Sequence, residues 1–248
     1  MIQVSATAEA MSRMAAEFIA ATAREALEAR GRFILALAGG GTPRPVYERL
    51  AAPPLAQHID WSRTHVFWGD ERCVSEEDER SNYRMARESL LEKVPLASGQ
   101  VHPIRCDGDP AASALRYEQL LRSMFPGGAR FDLILLGLGD NGHTASLFPD
   151  TPAVEERERW VAETRIAGQD YSRVTLTVAV INEARSIAFL VSGAEKAEAL
   201  NRVLEGPRNP RSVPAQAIHP RRGRVVWFVD APAARLLNRP AAAGGEPR

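Results

Sequence analysis

The stretch Phe131 to His143, FDLILLGLGDNGH, decides the fold class. Phe131 to Leu136 is a nearly continuous apolar run, and a glycine-rich turn follows it at once. A short apolar run bounded by turn residues reads as a strand buried on both faces, the habit of parallel sheets. The same pattern recurs at RFILALA (32–38), THVFW (64–68), SIAFLV (186–191) and VVWFV (225–229), with Val174 to Val178 as a shorter candidate.

Helix-period segments lie between these runs. Ala8 to Ala29 has apolar residues at helical spacing, and Gly31 is placed to end that helix. Thr42-Pro43 offers an N-cap followed by proline at the first helical position, and Asp109-Pro110 does the same before Ala111 to Met124. Ser81 can cap Asn82 to Lys93, and Ser192 with Glu195 forms a capping-box pattern before Lys196 to Leu204. The alternation predicts an α/β fold: a doubly wound, mostly parallel sheet with helices on both faces, a Rossmann-like three-layer sandwich. No internal repeat or linker interrupts it. One domain is expected over 1–239, with a loose tail over 240–248.

Composition narrows the function classes. Of 248 residues, 31 are basic and 31 acidic, which leaves no net charge and argues against a general nucleic-acid or membrane-surface binder. The basic residues are 29 arginines and only two lysines, Lys93 and Lys196. Cys73 and Cys106 have no metal-ligand spacing and are expected to be free thiols in a reducing compartment. Met1 to Phe18 has no apolar core of a signal peptide, and no apolar run approaches the roughly 20 residues of a membrane span. A cytoplasmic chain is expected.

In doubly wound folds ligands bind beyond the carboxyl ends of the strands. Four loops there carry candidate chemistry. In Gly39-Gly40-Gly41-Thr42, glycines before a helix N-terminus can cradle a phosphate, although a tight strand-to-helix turn needs the same residues. Gly69-Asp70-Glu71-Arg72 places acid, acid and base directly after a buried strand, as a site or as a surface turn; Asn82 and Tyr83 could face the same crevice. In Gly137 to Ser146 a glycine-rich turn delivers His143 to the head of a short helix. There an imidazole can act as general base, its pKa held down by the helix N-terminus. Lys196 falls in the first turn of a predicted helix, where the dipole disfavours a cation and a bound anion would remove the conflict. His58, His65, His102 and His219 stand in no ligand spacing, so no metal site is expected. No GxSxG nucleophile elbow is present.

These stretches resemble the 6-phosphogluconolactonase family, which shares a superfamily with glucosamine-6-phosphate deaminase. LALAGGGTP (35–43), WGDERCV (68–74), SNYRMARESLL (81–91), FDLILLGLGDNGHTASLFP (131–149), RVTLT (173–177), VSGAEKAEAL (191–200) and PAQAI (214–218) carry the resemblance in order along the chain. It implies a cofactor-free hydrolase of carbohydrate metabolism. Such an enzyme opens 6-phospho-D-glucono-1,5-lactone to 6-phosphogluconate, the second step of the oxidative pentose phosphate pathway. Its partner is a phosphorylated sugar lactone, and its state a monomer or weak homodimer. By the same resemblance Gly40, Gly41, Thr42, Arg173 and Lys196 hold the phosphate, and His143 is the base. Asp70, Arg72 and Asn82 line the lactone end, with Asn141 and Gly142 beside His143. Arg72 and a backbone N–H near Gly142 are the candidate oxyanion donors.

One departure concerns Asn141, where many relatives have Asp; an amide can hydrogen-bond the histidine but adds no charge to it. The deaminase branch is the nearest rival. Its pattern puts Glu five residues after the histidine, where this chain has Phe148, and Asp-Glu-Tyr where this chain has Asp70-Glu71-Arg72. A non-catalytic sugar-phosphate sensor is the rival from another class, but no helix-turn-helix segment or basic patch accompanies the chain.

Overall fold

The computed structural model describes residues 1–106 and 108–238; the expected tail over 240–248 lies outside them. Ten strands are present among the described residues: β1 (Ile2–Ser5), β2 (Phe33–Leu37), β3 (Thr64–Trp68), β4 (Asp70–Arg72), β5 (Val101–His102), β6 (Leu133–Leu136), β7 (Val161–Arg165), β8 (Ser172–Leu176), β9 (Ser186–Val191) and β10 (Arg224–Asp230). Seven of them form a sheet in the order β1-β10-β9-β6-β2-β3-β5. Every neighbouring pair in it is parallel, as the apolar runs predicted. All residues of β2, β6 and β9 are buried, so the centre of this sheet is the core.

The longer helices pack around the sheet: α1 (Ala8–Arg30), α2 (Arg44–Leu50), α3 (Asn82–Ser89), α4 (Pro110–Met124) and α5 (Ala197–Leu204). In α1 the Thr7 side chain accepts from the Ala10 amide, and Gly31 at φ 71° closes the last turn with a bond to Leu27 O. The αL conformation there is one that only glycine adopts cheaply. Ala15, Ala16, Ile19, Ala23 and Ala26 recur at helical spacing on its buried face, and the alanines let the helix lie close to its neighbours. No helix among the described residues is long and apolar enough to cross a membrane.

From β2 the sheet grows one way through β3 and β5, and the other way through β6, β9 and β10. The order therefore reverses between β2 and β6, and their carboxyl ends open a crevice there. The loops entering it are Gly39–Thr42 and Gly137–His143. Two buried tyrosines terminate the strands beside it. Tyr47 on α2 donates through its hydroxyl to Ala38 O at 2.8 Å and accepts from Ala38 N at 2.9 Å. Tyr117 on α4 treats Trp68 in the same way at 3.1 and 3.0 Å. Each hydroxyl satisfies both backbone groups of one residue, the one after β2 or the last of β3, and so turns the chain out of the ladder.

Several local expectations are corrected. The candidate at Val174 to Val178 is Ser172–Leu176, and it belongs to a second, antiparallel sheet ordered β4-β8-β7. That sheet was hidden because β4 is three charged residues with no apolar period to read. Thr42 does not cap α2, which has Pro43 at its N-cap position without a side-chain bond. Ser192 and Glu195 form no capping box: Ser192 donates to Asp230, and a turn of 3-10 helix over Ala194–Lys196 precedes α5. His143 heads no helix; a tight turn with a Thr144–Leu147 bridge follows it. Cys73 and Cys106 are not free thiols but a disulfide, because the segments after β4 and β5 converge to a Cα separation of 4.8 Å.

Candidate active site

At the switch between β2 and β6 lies a cavity of about 250 Å³. Its walls include Gly40, Gly41, Thr42, Asp70, Arg72, Asn82, His143, Arg173 and Lys196. Nine residues from six separate sequence segments thus meet in one concavity. Asn141 and Gly142 stand behind it. The amides of Gly39 to Thr42 donate to no protein acceptor among the described residues, and they precede the N-terminus of α2. Such a run of free N–H groups suits an oxyanion.

Two glycines admit the polar side chains. A Cβ at Gly39 would overlap the Asn82 amide, and one at Gly139 would overlap the His143 ring. Asn82 is set from the other side by Glu71, whose buried carboxylate accepts from the amides of Arg72 (2.7 Å), Asn82 (2.8 Å) and Tyr83 (2.7 Å). Burial pushes Glu71 up to about 7, against three backbone donors that favour its charged form. Glu71 is thus a cap on α3 supplied by the strand before it, across a loop that no local cap pattern spans.

Asn82 Nδ2 donates to Asp70 O at 2.9 Å, while its Oδ1 is buried without a hydrogen-bond partner. Arg72 donates through Nη1 to Arg80 O, and its Nε is likewise buried and unpartnered. Both orphaned atoms belong to residues that line the cavity. Buried polar atoms are rarely left without partners, so these two suit a bound ligand.

His143 stands half-buried on the cavity wall. Asn141 Oδ1 accepts from its Nδ1 at 2.7 Å and from its backbone N–H at 3.1 Å. The Nδ1 proton is thereby fixed, and Nε2 is left with a lone pair and no protein partner. Its ring stacks on Phe148 with centroids 3.9 Å apart at 19°. Burial lowers its pKa to about 4; Asp70 opposes this, and Arg173 and Lys196 add to it. The expected cause, a helix N-terminus, is replaced by burial.

Asp70 is buried and accepts from Ser146 Oγ at 2.6 Å. Arg173, also buried, is held by Gln169 (3.1 Å), Tyr171 (3.2 Å) and Ser146 (3.4 Å), with Asp70 4.0 Å away. Its guanidinium lies 5.2 Å from the Phe148 ring centroid. No motif marks Ser146, Gln169 or Tyr171 as partners of Arg173, and Phe148 stands out in the sequence only as the place where the deaminase pattern has Glu. Ser146 and Phe148 both lie inside the GHTASLFP stretch.

Two expectations change. Gly142 does not line the cavity, and its amide donates to Gly139 O at 2.9 Å, so it is no oxyanion donor. A backbone at φ 85° packed against Val213 explains the glycine instead. Lys196 does meet an anion, but an internal one: Asp140 Oδ1 lies 2.5 Å from its Nζ. Among the described residues no group of three or more His, Cys, Asp or Glu is placed to hold a metal ion.

The family profile described as glucosamine-6-phosphate isomerases/6-phosphogluconolactonase matches residues 6–227. A 6-phosphogluconolactonase of Synechocystis sp. is 43% identical over 219 residues, 86% of this chain and 88% of its own. The solved 6-phosphogluconolactonase from Trypanosoma brucei superposes with a TM-score of 0.84 at 30% identity, covering 96% of this chain and 98% of its own. A monomeric glucosamine-6-phosphate deaminase of solved structure superposes at 0.82 with 25% identity, over 95% of this chain and 99% of its own. The backbone is therefore common to both reactions.

Proposed function

The chain belongs to the glucosamine-6-phosphate isomerase/6-phosphogluconolactonase family, and we propose that it hydrolyses 6-phospho-D-glucono-1,5-lactone to 6-phosphogluconate, with His143 as the base. The observation that carries the assignment of the base is the Asn141–His143 bond, which leaves Nε2 free as an acceptor. The free amides of Gly40, Gly41 and Thr42, together with Lys196 and Arg173, bind the substrate phosphate. This remote anchor uses binding energy to orient the reacting carbon. Lys196 exchanges Asp140 for the phosphate as the substrate enters. Asn82 Oδ1 accepts from a sugar hydroxyl.

His143 Nε2 takes a proton from a water, and the water oxygen bonds to the lactone carbon. Arg72 Nε donates to the carbonyl oxygen as negative charge collects there. The bond from carbon to the ring oxygen then breaks. Protonated His143 returns its proton to that oxygen, and the new acid ionises into solvent. Phe148 supports the lactonase over the deaminase reading, because an apolar ring lies against His143 where proton shuttling would need a carboxylate.

Acid release from freshly made lactone, corrected for spontaneous opening, tests this reading. His143→Ala should lower kcat by about 10²–10⁴. A histidine depressed to about 4 stays neutral, and so remains a base, until the pH falls through that value. The acid limb of kcat/KM should therefore lie near pH 4. The kcat limb should lie higher, because bound phosphate offsets the charges of Arg173 and Lys196. An undiminished kcat in the variant would remove His143 from the mechanism, and a kcat/KM limb at 6.5 or above would mean that burial does not depress the base.

A further inference from the structure

Away from the active site, at the amino ends of the strands, arginines collect. Arg32 directly precedes β2, Arg185 directly precedes β9, Arg130 lies three residues before β6, and Arg30 closes α1. β9, β6 and β2 are adjacent in the sheet, so these side chains meet around one cavity of about 260 Å³. Asp132 is the sole carboxylate on its walls. That carboxylate is buried and already engaged: it accepts from Ile34 N at 2.9 Å and Arg30 Nε at 2.8 Å, with Arg185 Nε 3.4 Å away.

The positive charge is not balanced from within. Arg32 and Arg130 make no side-chain hydrogen bond or ion pair among the described residues. Arg185 Nε is buried and has no hydrogen-bond partner. Burial first, then repulsion from Arg130 and Arg30, lowers the Arg185 pKa below the ordinary arginine value. The carboxyl ends of α1 and α4 face this side and contribute about half a negative charge each. Four guanidinium groups set against Asp132 and two helix ends leave roughly two positive charges uncompensated.

We infer that this arginine-walled cavity is a second anion site, one that takes a small molecule carrying a phosphate group. Planar guanidinium forks match pairs of phosphate oxygens, and several forks around one concavity suit a compact, multiply charged anion. Phe125 forms an apolar wall for the body of such a molecule. The site does not depend on the catalytic reading. It lies at least the length of β2 from the active site, roughly 16 Å at about 3.3 Å per residue.

Inorganic pyrophosphate, titrated calorimetrically at low ionic strength, is the probe. Three proteins are compared: wild type, Lys196→Ala, and the double variant Arg32→Gln/Arg130→Gln. Neither arginine bonds to the rest of the fold, so the double variant should keep the wild-type thermal transition and lactone hydrolysis. Binding that survives in Lys196→Ala and weakens at least 10-fold in the double variant is the expected result. Arg130→Glu alone, which removes the same two units of positive charge, should weaken it to a similar degree. Pyrophosphate binding that is lost in Lys196→Ala and unchanged in the double variant would overturn the proposal. So would arginine-dependent binding of a polyglutamate peptide with none of pyrophosphate, which would mark an acidic protein surface as the partner.

Discussion

Gly139 and His143 show how much a single missing methyl group can decide. The imidazole occupies the space that a side chain at 139 would fill, so its orientation depends on that position having none. Gly139→Ala should displace the ring without disturbing the core. If His143 is the base proposed above, displacing it by about 1 Å costs about 10²-fold in rate, so kcat should fall by that order with the thermal transition kept. A wild-type kcat in this variant would refute the packing argument. The glycine-rich turn and the histidine were both legible in the sequence. Which glycine admits the ring was not, since that depends on where the turn folds back. The cause of the depressed histidine pKa was hidden for the same reason: burial is a property of neighbours, not of the tripeptide.

At the scale of elements, the strands that deliver the loops are terminated by side chains from helices that follow them. Tyr47 reaches back 9 residues to Ala38, and Tyr117 reaches back 49 to Trp68. Burial drives both phenols far above their ordinary pKa, so they remain neutral donors. Tyr47→Phe would leave the Ala38 N–H and C=O buried without that hydroxyl. The variant should lose about 1–3 kcal/mol of stability, measured as a lower urea midpoint. An unchanged midpoint would mean that the backbone groups find other partners. The parallel strands were readable from their apolar runs. The β4-β8-β7 sheet was not, because its pairing joins Asp70–Arg72 to residues a hundred positions away and follows no local period.

Across the whole molecule, the absence of net charge conceals a gathering of cationic side chains at each end of the sheet: Lys196 and Arg173 face Asp140 and Asp70 at one end, and four arginines face Asp132 at the other. A disulfide adds a second long-range constraint. Cys73 directly follows Arg72, and its bond to Cys106 closes a loop across 33 residues. Constraining an unfolded chain over that length stabilises the fold by about 3–4 kcal/mol in the loop-entropy account. Dithiothreitol, or Cys73→Ala, should lower the urea midpoint correspondingly. A midpoint indifferent to reductant would mean that the bond contributes nothing to stability. Sequence alone was enough for the α/β class, the parallel strands and the four loops, that of His143 included, which meet at one cavity, because these rest on period, turn residues and local order. Tertiary structure alone decided the second sheet, the disulfide, the engagement of Lys196 by Asp140, the loss of Gly142 as a donor and the arginine cavity. Each of these depends on which distant residues the sheet order makes adjacent, and no local property of the chain encodes that adjacency.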